Sequence, residues 1–180
     1  MIRRPFVALA ALVLAGSIAS GCTTFSANRN AVSVDGSDLP VAEFEAYLQG
    51  FADNPEAFQI APASAAGLPG ATARGILTQW ITNSIQASAL AERGASVTPA
   101  QRTALEDQIL AGGAAGVWVK LSAQAKAFVL DAQSVEPAFN AAFGADADAV
   151  RGQLLSSARV TVDSRYGMWD PVTAQVVPTL

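Results

Sequence analysis

Apolar and polar positions alternate over Ala31-Val32-Ser33-Val34-Asp35, the period of a half-buried strand. Asp35-Gly36 is a turn dipeptide. A helix is then expected from near Pro40 to about Ala52, with Phe44, Leu48 and Phe51 on one face and Tyr47 beside them, stopped by Asp53-Asn54-Pro55. Residues 56–71, rich in Ala, Pro and Gly, read as a loop. The strongest helical signal follows. Ile76, Leu77, Trp80, Ile81 and Ile85 recur at three- and four-residue spacings, with Thr72 as the expected cap, Gly94 as the terminator, and Gln79, Thr82, Asn83 and Gln86 largely off the stripe. Thr98, Pro99 and Gln101 form the start signal of a further helix. It carries Leu105, Ile109 and Leu110 and is broken by Gly112, Gly113 and Gly116.

Another helix is predicted over roughly 117–132, with Val117, Trp118, Leu121, Ala125, Phe128 and Val129 on one face. A short one around Pro137–Phe143 and one over about 146–157 come next, the last with Asp146 and Asp148 at its positive end. The period then returns to two over Arg159-Val160-Thr161-Val162-Asp163. This segment is predicted to pair with residues 31–35, so that Val32, Val34, Val160 and Val162 pack one face on the helices. Tyr166–Pro171 reads as a turn with two aromatic rings, and Gln175-Val176-Val177 as a short extended piece. The expected fold is mainly α, with a small β element that pairs the N-terminal and C-terminal strands.

The first residues carry a different pattern. Arg3 and Arg4 precede an apolar run from Phe6 to Ala15, the layout of a secretory signal peptide and too short for a comfortable membrane span. Ile18-Ala19-Ser20-Gly21-Cys22 resembles the lipobox of bacterial lipoproteins, with Ala19 where that family most often has leucine. The resemblance implies cleavage between Gly21 and Cys22 and a diacylglyceryl group on the Cys22 thiol. The other reading is an ordinary signal peptide cut near Ala19, with Cys22 incidental. The expected organisation is a signal peptide over 1–21, a lipidated tether over 22–30 and one domain over 31–180. The expected location is the extracytoplasmic face of the cell membrane, reached through lipid on Cys22.

Composition narrows the chemistry. Taking 21 residues from 180 leaves 159; taking two arginines from 11 basic residues leaves nine against 15 acidic, a net charge of −6. Such a chain lacks the basic surface that nucleic acid requires. There is no histidine, and Cys22 is the only cysteine. That removes histidine-based nucleophilic catalysis, histidine-ligated metals and, with Cys22 acylated, thiolate chemistry and cysteine-ligated zinc. The carboxylate pairs Glu43/Glu45, Glu106/Asp107, Asp146/Asp148 and Asp163/Asp170 are too close along the chain to face each other across a cleft as a glycosidase requires. Gly112, Gly113 and Gly116 do not follow a strand, so they do not form a phosphate-binding loop. No cofactor, no metal, no small-molecule substrate and no enzymatic activity are expected.

A second resemblance covers most of residues 31–171. Val32-Ser33-Val34-Asp35-Gly36 followed by Glu43-Phe44 resembles the opening of the SurA N-terminal domain, a strand, an Asn/Asp-Gly turn and a helix carrying Glu-Phe. Ala89-Leu90-Ala91-Glu92-Arg93-Gly94, then Val97-Thr98, is similar to the junction of that family's second and third helices. Val160–Asp163 with Arg165-Tyr166-Gly167 and Trp169-Asp170 resembles the returning strand and tail of SurA-like lipoproteins from high-GC Gram-positive bacteria.

The resemblance implies an extracytoplasmic chaperone-like domain that holds unfolded exported polypeptides in an apolar groove. Many relatives add a parvulin isomerase domain. This chain has no room for one and lacks the usual histidines, so no isomerase activity is expected. Trp118, Phe128, Phe139 and Phe143 are the candidate groove residues; the other reading places them in the domain's own core. Trp80 is expected to be core, and Tyr166 and Trp169 to clamp the tail onto the body. The function expected is that of an ATP-independent holdase; the alternative is an assembly lipoprotein that binds one folded partner.

Overall fold

The computed structural model describes residues 29–55 and 68–179. Strand β1 (Asn30–Val34) realises the first alternating segment, with Val32 and Val34 buried. Asp35 and Gly36 both take positive φ, 47° and 93°. Two consecutive residues in that region give the turn whose twist suits a two-residue hairpin. The chain therefore doubles straight back as β2 (Ser37–Pro40), with Val34 opposite Ser37 and Ser33 opposite Asp38. Pro40 then becomes the residue before helix α1 (Val41–Ala52), whose first amide, on Val41, bonds to the Arg29 carbonyl at 2.9 Å.

Helix α2 (Gly70–Glu92) begins two residues before the expected cap. Thr72 lies inside it and donates its amide to the Pro69 carbonyl, and Pro69 occupies the cap position without a side-chain bond. Gly94 ends the helix at φ 70°, as its position predicts. α2 packs against β1, the later helices Ala123–Phe143 and Ala147–Ser157 and the strand Gln175–Val177, so more of its circumference is covered than one apolar stripe implies. Asn83 and Gln86, expected off the stripe, are buried.

Helix α3 (Pro99–Ile109) has the complete capping box: Gln101 N–H donates to Thr98 Oγ1 at 3.2 Å, and Thr98 N–H donates to Gln101 Oε1 at 2.8 Å. A wide helical turn, Leu110–Ala114, follows, with Gly113 at φ 89°, and then the single turn α4 (Ala115–Trp118). The expected helices at 117–132 and 137–143 are corrected here. The chain breaks after Trp118, restarts with Ser122 capping the Ala125 amide at 3.1 Å, and runs unbroken as α5 (Ala123–Phe143). Pro137 is tolerated inside it because it sits on the exposed side, where solvent can serve the Gln133 carbonyl that its missing N–H abandons.

Helix α6 (Ala147–Ser157) leads into β3 (Val160–Val162). β3 pairs antiparallel with β1, Val162 opposite Val32 and Val160 opposite Val34, so the sheet order is β2-β1-β3. The predicted joining of the two ends of the domain is thus present. β4 (Met168–Asp170) and β5 (Gln175–Val177) form a second hairpin, and the Val176 amide donates to Thr78 Oγ1 on α2 at 2.9 Å. The principal core joins Val32, Leu39, Phe44, Leu77 and Ile81, all fully buried. Tyr166 meets Phe44 edge-on at 4.8 Å, and Trp169 packs against the same core. The fold is mainly α with a small antiparallel β element. Among the described residues, no helix is long and apolar enough to cross a membrane.

Candidate functional site

The glycine-broken turn between α3 and α5 builds an apolar recess. Trp118 is 4% exposed, and its indole N–H donates to Glu106 Oε1 at 2.7 Å, which folds α4 back onto α3. The Lys126 ammonium stands 5.8 Å from the ring centre. Trp118 packs with Leu121 and Ala125 against Ile109, Val129 and Leu130. Ile109, Val117, Trp118, Leu121 and Val129 wall a recess of about 350 Å³ that opens to solvent. The adjoining turns leave Leu110 37% and Val119 69% exposed. Large apolar side chains around an apolar recess are the kind of surface that marks a binding site.

Phe128 lies elsewhere, in the principal core, 5.3 Å from the Tyr47 ring and 5.8 Å from that of Phe51. Phe128, Tyr47 and Trp80 wall a smaller cavity of about 130 Å³, which Asn83, Ser84, Arg102 and Asp131 also line. Trp80, expected to be core, is half-buried at this cavity while packing on the core from its other side. The Tyr47 hydroxyl donates to Glu43, and Arg102 pairs with Asp131 across α3 and α5. Burial, then the Glu43 hydrogen bond, then the charges of Glu43 and Asp131 push the Tyr47 phenol well above its usual range.

Phe139 and Phe143 form a third group, stacked at 4.3 Å. Phe139 is fully buried beside Leu90, Val135 and Ala147. The Arg93 guanidinium lies 4.0 Å from the centre of the Phe143 ring and donates to the Ala142 carbonyl at 3.2 Å. The four aromatic residues named from the sequence therefore do not share one groove. Helical spacing places Trp118, Phe128, Phe139 and Phe143 along one chain segment, but the break after Trp118 and the 21-residue length of α5 carry them to three separate clusters. Trp118 alone adjoins the open apolar recess.

At least one carboxylate of each pair named from the sequence is engaged structurally. Glu43 holds Tyr47, Glu106 holds Trp118, Asp148 pairs with Arg151 at 2.7 Å, and Asp170 accepts from the Val172 amide and the Thr173 hydroxyl. Among the described residues, no group of three or more His, Cys, Asp or Glu side chains is placed to hold a metal ion. Gly21 and Cys22 lie outside the described residues. Sequence reasoning missed Asn83, Arg102 and Asp131; a polar residue at a covered position of a central helix is the signal for Asn83 alone. No family model, no curated protein and no solved structure matches the chain.

Proposed function

We propose that this chain is a lipid-anchored, extracytoplasmic holdase that binds apolar segments of unfolded exported polypeptides and has no isomerase activity. One observation carries the reading: the recess beside Trp118, apolar and open, with exposed Leu110 and Val119 next in the chain to its wall residues Ile109 and Trp118. Such a surface takes one or two apolar side chains of an extended or helical segment. The glycines of the adjoining turn let it adapt to different segments, as a holdase requires and a single-partner site does not. Further support comes from the SurA-like order of strand, turn and helix at the start and of returning strand and tail at the end. The signal and lipobox pattern ending at Cys22 supports the location.

A photo-crosslinking residue at Val119 of the full chain in living cells tests this. Val119 is the position of choice because Trp118 is buried and Val119 is not. Adducts with many unrelated exported proteins, lost on Val117→Asp, are expected. One dominant folded partner, or no adducts at normal expression, would overturn the holdase reading; the former favours the assembly alternative.

A further inference from the structure

We propose that the β4–β5 hairpin is a membrane-contacting tip, which lays Met168, Pro171 and Val172 against the lipid surface that carries the anchor. The proposal rests on lipid at Cys22 and not on polypeptide binding at the Trp118 recess.

The hairpin is fixed on one face and apolar on the other. Trp169 packs on the principal core, and Val176, opposite it, is buried. Strand alternation turns the next cross-strand pair, Met168 and Val177, outward. Met168 is 50% exposed; Val172, at the tip, is 91% exposed, with exposed Pro171 beside it. The turn itself is bonded in place. Asp170 accepts from the Val172 amide at 2.9 Å and from the Thr173 hydroxyl at 2.7 Å, and Ala174 is held at φ 52°. A non-glycine residue in that region is a cost that these bonds must offset, and the result is a valine side chain presented to solvent.

Chain length names the occupant. Arg29, the first described residue, lies 3.6 Å from Asp163, and the Tyr166 amide donates to the Asp163 carbonyl just before the hairpin. Cys22 to Arg29 is 29 − 22 = 7 residue steps, at most about 25 Å of extended chain. A lipid on Cys22 therefore keeps a bilayer surface within about that distance of the hairpin's lead-in. A few small apolar side chains would hold a free protein only weakly. Beside a surface already tethered, the same contact is intramolecular.

Charge permits the approach. Arg29 and Arg165 share the Asp163 carboxylate, and Arg74 stands on α2 in the wall of a groove that Gln175–Pro178 complete. These cations offset Asp163, Asp170 and Glu45, whose charge acts on Arg165. The hairpin is thus spared the repulsion that an acidic surface meets at anionic lipid. The Asp170 carboxylate at the tip limits entry to the boundary of headgroups and acyl chains.

The mature lipidated chain with Val172→Cys has one free thiol, because the lipid takes that of Cys22. It would be labelled with an environment-sensitive NBD fluorophore and reconstituted in phosphatidylcholine vesicles holding nitroxide lipids, spin-labelled near the carbonyl or near the chain end. Glu92→Cys is the comparison, exposed at the far end of α2 and about 27 Å along the helix from Arg74. The probe at 172 is expected to be quenched at least about threefold more than the probe at 92, and more by the carbonyl-end label than by the chain-end label. Adding Met168→Asp is expected to remove most of that difference while flotation with the vesicles is unchanged. A chain that does not float overturns the anchor reading and this proposal with it. A chain that floats with equal quenching at both positions, or with quenching at 172 indifferent to Met168→Asp, overturns the membrane contact and leaves the anchor standing.

Discussion

Trp118 and Glu106, twelve residues apart, are joined by a 2.7 Å hydrogen bond from the indole N–H to the carboxylate. The bond does what the intervening glycines cannot. Leu110–Ala114 supplies freedom to turn but buries no side chain, so the return of α4 onto α3 rests on this bond and on the packing of Trp118 with Leu121 and Ala125. Removing the acceptor leaves a nearly buried indole N–H unsatisfied, a loss of about 1.5–3 kcal/mol for a bond to a charged group. Glu106→Ala is expected to lower unfolding stability in urea by that amount, and Glu106→Gln, which keeps an acceptor, by less than half as much. Equal losses for the two variants would show that the oxygen at this position does not matter.

The α3 start and the terminal strands were legible because their signals are local. Thr98, Pro99 and Gln101 specify a cap within four residues, and the Val32/Val34 and Val160/Val162 alternation specifies the face each strand buries. The β2 strand was not legible, since Ser37-Asp38-Leu39 has one apolar residue and owes its pairing to the Asp35-Gly36 turn. The continuity of α5 was hidden by Pro137, whose cost depends on whether it faces solvent, a tertiary fact. The same holds for the candidate site. Trp118 is legible as one of four aromatic groove candidates, but not as the one beside the open recess. The burial of Asn83 depends on the elements that pack on α2 from elsewhere in the chain, α5 above all, which no local pattern in residues 70–92 encodes.

Gly50 sets the approach of α1 to α5. A Cβ built there would lie 2.9 Å from the Ala125 Cβ, closer than two carbons pack. Alanine gains helix propensity of about 1 kcal/mol over glycine, but overpacking a closed contact costs about 1–3 kcal/mol. Gly50→Ala is therefore expected to destabilise the fold by up to about 2 kcal/mol once the propensity gain is set against the packing term. The double variant Gly50→Ala with Ala125→Gly moves the methyl from one helix to the other. It should be more stable than the sum of the two single losses. A thermal or urea double-mutant cycle with no coupling would show that the helices separate at no cost.

Asp163 ties the returning strand to the start of the domain. Its side chain is 2% exposed; its amide donates to the Ala31 carbonyl at 2.9 Å. Burial alone raises its pKa, but the side-chain and backbone donors of Arg165, with the charges of Arg165 and Arg29, outweigh burial and hold it below the usual 3.8. A carboxyl depressed in the folded state contributes stability that is present above its unfolded pKa and lost as pH falls through the folded value. Stability is thus expected to fall as pH drops below about 4. Asp163→Asn should be less stable at neutral pH and show a shallower acid limb. An unchanged slope in urea midpoints measured from neutral to acid pH would remove Asp163 from that limb.

The alkaline limb has the opposite sign and two contributors. Tyr47 and Tyr166, the only tyrosines, are both raised above the ordinary phenol value of 10.0, first by burial. For Tyr47 the Glu43 hydrogen bond and the Glu43 and Asp131 charges add to burial; for Tyr166 the Arg165 charge opposes it, and Glu45 and Asp163 reinforce it. A phenol raised in the folded state contributes nothing to the pH dependence well below its unfolded pKa. Stability falls as pH rises above that value, because the unfolded chain releases the proton first. Phenolate absorbance is therefore expected to stay low in the folded protein past pH 10 and to rise together with loss of helical ellipticity. Tyr47→Phe should flatten the alkaline limb more than Tyr166→Phe, because every cause acting on Tyr47 raises its pKa, whereas the Arg165 charge lowers that of Tyr166. Early, independent ionisation of both phenols, with the helices intact, would show that neither ring is held as described.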